Sequence, residues 1–88
     1  MGMIDTTWVR LEDKFLADSE DVEKIVKHVY EALKEKGYNP IAQLSGYLMT
    51  GDPTYITNYK GARGIITRID RHELMSEIMR FYIEHALI

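Results

Sequence analysis

The chain has no cysteine, two prolines, one tryptophan and three histidines among its 88 residues, and its net charge is −3. Each scarcity closes off some chemistry. Without cysteine there are no disulfides, no thiolate nucleophile and no cysteine-containing zinc site, a composition that fits a reducing cytosol. No apolar run is long enough to span a bilayer. Residues 1–8 have neither a basic n-region nor an apolar h-region, so they do not read as a secretory signal. Met1-Gly2 followed by Thr6 formally matches a myristoylation start, but such starts are common and nothing else in the segment supports acylation. His28, His72 and His85 show no i, i+4 pairing, and the last two lie about 20 Å apart along one helix, so no metal site is expected within a protomer. Gly61-Ala-Arg-Gly64 is too short for a phosphate loop and follows no strand. No serine or threonine has a base and orienter around it. These gaps argue against an enzyme and against a bound cofactor.

What remains is one domain's worth of chain. A chain this short buries only about 60–65% of its unfolded surface, so part of its core is expected from a partner. Charge is unevenly placed. Residues 1–21 carry Asp5, Glu12, Asp13, Asp18, Glu20 and Asp21 against Arg10 and Lys14, whereas residues 60–71 carry Lys60, Arg63, Arg68 and Arg71 against Asp70.

Residues 1–17 lack helical periodicity and read as a flexible tail ahead of a helical domain over 18–88. Asp18 or Ser19 caps a first helix with an acidic first turn. Val22, Ile25, Val26, Val29, Tyr30 and Leu33 form its apolar stripe, and Gly37 is its left-handed stop. The block Gly37–Ile56 holds three of the six glycines and both prolines. In it, Asn39-Pro40 and Asp52-Pro53 each read as an N-cap followed by a first-turn proline. A second helix from Pro40 to about Met49 should bury Ile41, Leu44 and Leu48 with Tyr47 at its edge. Gly46 within it suggests a close helix contact, and a short helical turn follows near Thr54–Ile56. A fourth helix after Gly61 presents Ala62, Ile65, Ile66 and Ile69. Asp70 with Glu73 forms a capping box that opens a fifth helix, about 71–87. The expected fold class is therefore all-α, a compact bundle of about five short helices.

The last helix is apolar over about half its circumference. A helix that covers one core needs less, so Leu74, Ile78, Met79, Phe81, Tyr82 and Ile83 are candidates for the interface of a homodimer. Two short helices followed by Lys60, Arg63, Arg68 and Arg71 also have the outline of a helix-turn-helix, but the acidic total argues against a nucleic-acid partner. Thr6 and Thr7, beside Asp5, are candidate phosphoacceptors. Phosphate there would add about −1.5 to −2 charge each at pH 7, and Arg63, Arg68 or Arg71 could receive it.

Ala32-Leu-Lys-Glu-Lys-Gly-Tyr-Asn-Pro-Ile41, then Gln43, Gly46-Tyr-Leu, Gly51-Asp-Pro-Thr-Tyr-Ile56, Ala62-Arg63, and Arg71 with Glu73-Leu74, resemble the IreB family of small bacterial regulatory phosphoproteins. The resemblance covers about residues 22–82. It implies a cytosolic, all-helical homodimer without known catalytic activity. It also implies phosphorylation on N-terminal threonines by a membrane-anchored Ser/Thr kinase, reversal by a cognate phosphatase, and negative regulation of cephalosporin resistance through an unknown downstream protein. The family tail typically reads Thr, an apolar residue, then Arg-Phe. Here Thr7-Trp8-Val9-Arg10-Leu11 has one residue more and no phenylalanine. Relatives favour asparagine where this chain has Gly64 and aspartate where it has His72, so a looser fourth helix and one fewer first-turn acid are expected.

Overall fold

A computed structural model describes residues 19–88. Thr6 and Thr7, and the expected tail as a whole, lie outside the described residues. Among the described residues four α-helices run in the order α1 (Ser19–Glu35), α2 (Pro40–Thr50), α3 (Ala62–Ile66) and α4 (Arg71–Tyr82). Short 3₁₀ turns at Pro53–Tyr55 and Tyr59–Gly61 lie between α2 and α3. The chain closes with a wider, i→i+5 turn over Ile83–Leu87. No strand occurs among the described residues, and the all-α class expected from periodicity holds.

The central element is α1, which packs against α2, α3 and α4. Its buried stripe is Val22, Val29, Ala32 and Leu33, joined by Ile56, Ala62, Ile66, Ile69 and Leu74 from the other elements. Gly37 ends α1 with φ +85. Its N–H donates to the Lys34 carbonyl at 3.0 Å and that of Tyr38 to the Leu33 carbonyl at 2.9 Å, the paired bonds of a Schellman stop. Asn39 then caps α2, its Oδ1 accepting from the Ala42 N–H at 3.2 Å with Pro40 in the first turn. Asp52 repeats the device, accepting from both the backbone N–H and the hydroxyl of Thr54. Those two bonds hold its carboxyl below the usual aspartate range. Asp70 caps α4 by accepting from the Glu73 N–H at 3.3 Å.

Three expectations need correction. Ile41 is 78% exposed, whereas Tyr47 is only 4% exposed and belongs to the core. Ile41 falls in the first turn of α2, ahead of the stretch centred on Tyr47 that reaches the core, so its spacing from Leu44 buries nothing. Burial also pushes the Tyr47 phenol up from its ordinary value. The close neighbour of Gly46 is not another helix but the Tyr55 ring, which a Cβ at position 46 would overlap. Finally, α3 stops at Ile66. Tighter turns, with Arg68 N–H on the Ile65 carbonyl and Ile69 N–H on the Ile66 carbonyl, both at 3.2 Å, deliver Ile69 to the core instead.

Candidate functional site

Two groups of residues stood out as functional candidates, the basic stretch 60–71 and the apolar surface of the last helix. The basic stretch is mostly committed to the fold. Arg63 donates from Nε to the carbonyl of buried Ile56 at 2.9 Å. Arg71 donates from Nη1 to the Leu48 carbonyl at 2.9 Å, placing a cation at the C-terminal end of α2 where the helix dipole is negative. Its guanidinium lies against Gly51, whose φ is +75; a Cβ there would stand 2.8 Å from Cζ. Arg68 is exposed and has no such bond among the described residues.

Lys60 is committed in another way. It adopts φ 54, a left-handed conformation that costs about 1–2 kcal/mol for a residue with a Cβ. α1 holds the strained turn from one side. His28 Nε2 donates to the Lys60 carbonyl at 2.8 Å, and Lys60 Nζ lies 3.3 Å from a Glu35 carboxylate oxygen. Tyr59 also donates its hydroxyl to Glu35 at 3.0 Å. The Tyr59 hydrogen bond, then Lys60, draws the Glu35 carboxyl below its ordinary value. Nothing in the sequence pattern announced this clasp, because His28 and Lys60 are 32 residues apart.

The apolar candidates divide by position around α4. Leu74 is 0% exposed: it is core, and it has no surface to offer a second copy. At 100° per residue, Leu74, Ile78 and Phe81 fall within about 60° of one another, facing α1. Met75, Met79 and Tyr82 lie about 100° further round, with Ile83 just beyond the end of the helix. Both sets are exposed beyond Leu74: Met79 is 50% and Phe81 63% accessible. Sequence reading detected the breadth of this surface but not that it consists of two separate faces.

The inner face borders a groove of ≈ 540 Å³ between α1, α2 and α4. Val22, Val26, Leu44 and Ile78 line it, with the Tyr30 and Phe81 rings, and Glu23, Lys27 and Glu77 supply its charges. Phe81 is held in place from the C-terminal side. The His85 imidazole stacks on its ring with centroids 3.9 Å apart, and His85 Nδ1 donates to the Phe81 carbonyl at 2.8 Å. Among the described residues no group of three or more His, Asp or Glu could hold a metal ion, and no helix is long and apolar enough to cross a membrane.

Fold and surface together describe a small all-α domain, capped at Asn39, Asp52 and Asp70, whose last helix leaves apolar side chains uncovered. The particular family follows from comparison. The model described as IreB regulatory phosphoprotein matches residues 6–84, and the chain belongs to this family. A UPF0297 protein from Ruminiclostridium cellulolyticum is 46% identical over 85 residues, covering 97% of this chain and 93% of that protein. Another UPF0297 protein, from Lachnoclostridium phytofermentans, is 50% identical over 66 residues and 75% of each chain.

Proposed function

We propose that the protein is a non-enzymatic, cytoplasmic regulatory phosphoprotein, switched by threonine phosphorylation in its N-terminal segment. The observation that carries this reading is the extent of the family match. It begins at residue 6, so it takes in both Thr6 and Thr7 within a family described by its phosphorylation. The kinase of this scheme is a membrane-anchored Ser/Thr kinase with extracellular PASTA repeats, opposed by a cognate phosphatase. The output is cell-envelope stress or β-lactam (cephalosporin) resistance signalling through a downstream protein. Thr7, immediately before Trp8 and closer to Arg10, is the primary acceptor and Thr6 the secondary one.

The working unit in this reading is a homodimer. Met75, Met79, Tyr82 and Ile83 form an exposed apolar strip suited to an isologous contact with the same strip on a second copy. Arg68, the arginine of the basic stretch without a backbone commitment, is the residue best placed to receive a phosphate in cis or in trans, with Arg63 and Arg71 contributing charge only.

The test is phosphorylation by a PASTA-type kinase followed by mapping of the modified residues. Phosphate on Thr7, reduced in Thr7→Ala, is expected, and a protein unmodified throughout residues 1–17 removes the kinase link. A second reading, an unmodified adaptor that acts through its apolar surface, is favoured by the exposed groove and strip. It predicts that Thr6→Glu/Thr7→Glu captures the same partners as the unaltered protein, whereas the phosphoprotein reading predicts a changed set.

A further inference from the structure

We propose that the groove between α1, α2 and α4 is a face for self-association, meeting the same groove of a second copy across a two-fold axis beside Ile25. Its apolar lining gives such a contact its area: Val22, Val26, Leu44, Ile78 and the Tyr30 and Phe81 rings border a space of ≈ 540 Å³. Two hollow faces trap empty space unless something projects between them. Tyr30 and Phe81 do so, at 42% and 63% accessible, and the stacked His85 imidazole stiffens Phe81. Apolar area alone names no occupant. The charges do.

Three charged side chains line the groove, Glu23, Lys27 and Glu77. Glu77 is already paired with Arg80 on its own helix. Glu23 and Lys27 stand four apart on α1 and are both exposed, yet neither makes an ion pair among the described residues. An acid and a base left open at this spacing are self-complementary. When two copies of α1 run antiparallel about an axis level with Ile25, Glu23 of each lies level with the partner's Lys27. The apolar row obeys nearly the same axis. Val22, Val26 and Tyr30 extend over about 12 Å at 1.5 Å per residue, and the middle member, Val26, follows Ile25 in the chain. A parallel arrangement sets glutamate against glutamate and lysine against lysine, which repel. A foreign helix would have to bring the same two charges in reversed order, whereas a second copy carries that order already. Flanking charges of this kind choose the partner and the orientation of helix pairs.

The groove contact is separate from the strip. Met75, Met79 and Tyr82 lie about 100° away round α4, so one copy can hold a neighbour at each. Two different two-fold contacts on one chain join pairs into larger assemblies. With the strip contact broken, the groove still gives pairs.

The test is association by light scattering and sedimentation of the full chain, in a Met79→Glu background so that only the groove reports. Glu23→Lys and Lys27→Glu alter exposed residues and should keep helical circular dichroism. By symmetry each places two repulsive pairs in the contact, so each alone should weaken association by about tenfold or more. An equimolar mixture of the two should associate as the unaltered groove does, because the lysines of one face the glutamates of the other. The double reversal, Glu23→Lys with Lys27→Glu, should recover likewise. A Met79→Glu protein that stays monomeric up to about millimolar concentration overturns the proposal and leaves the groove to another kind of occupant. So does association that survives either single reversal, or that the mixture fails to restore. If the reversals dissociate the protein while Met79→Glu alone leaves its size unchanged, the groove contact stands and the strip reading falls.

Discussion

The block Gly37–Ile56 and the second half of α4 differ in how completely each satisfies itself. In the block, both N-caps accept their hydrogen bonds, two glycines take the left-handed turns, and the Arg71 side chain closes the end of α2. In α4 beyond Leu74, the backbone is just as regular, yet Met75, Ile78, Met79, Phe81 and Tyr82 remain exposed. The lesson is that the most recognisable sequence in this protein builds the frame, and the least distinctive carries the unmet demand for contact. Function in such a small domain is expected where apolar surface is left over, because local hydrogen bonding has no further claim on it.

The sharpest way to break this comparison is to injure the frame. Ile66→Ala, at a fully buried position, should cost about 2–5 kcal/mol of unfolding free energy in urea titrations. Next in size is Gly51→Ala, which forces a Cβ into a left-handed turn against Arg71 and should cost about 1–2 kcal/mol. The same substitution at Gly64 should have the opposite sign. A Cβ there meets nothing within 4 Å, the backbone is ordinary helix, and Gly64→Ala should stabilise by about 0.5–1 kcal/mol, read as a higher melting temperature. Smaller still is the pH effect of the Glu35 clasp and the Asp52 cap. Both carboxyls are lowered in the folded state. Their contribution is therefore fully present above the ordinary carboxylate values, about 4, and fades as pH falls through the lowered ones. Glu35→Gln should flatten the acid limb of a stability-versus-pH curve; an unchanged limb would dissolve the clasp. Least of all should come from α4: Met79→Glu should alter unfolding by no more than about 0.5 kcal/mol at low protomer concentration, and under the proposed homodimer it should also remove the strip's share of any concentration dependence of light scattering.

Local chemistry was legible in the sequence wherever it was carried by neighbours in the chain. Asn39, Asp52 and Asp70 were readable as caps, and Gly37 as a stop, because each acts within three or four residues. The apolar stripe of α1 was equally plain, although Tyr30 at its margin proved exposed. What escaped was set by tertiary neighbours. Tyr47 and Ile41 exchange roles because only the core's position decides which side of α2 is inward. The strained Lys60 could not be foreseen, since ordinary residues enter left-handed turns only when distant groups such as His28 hold them there. Similarly, Arg63 and Arg71 look like a basic patch in sequence and turn out to be backbone donors. For the candidate interface, composition revealed the excess of apolar surface but not its division into a groove and a strip, which depends on where α1 passes α4.

The ring of Tyr55 over Gly46 has a consequence for the timing of motion in this domain. The side-chain amide of Gln43 also donates to the Tyr55 carbonyl at 2.8 Å, so the 3₁₀ turn is fastened to α2 by both its side chain and its backbone. The two should open together as one cooperative unit rather than fraying separately. In amide hydrogen exchange, the Ile56 N–H, bonded to the Pro53 carbonyl at 3.0 Å, should then exchange at the pace of the α2 interior. A turn of three residues would in this way inherit the lifetime of a helix of eleven.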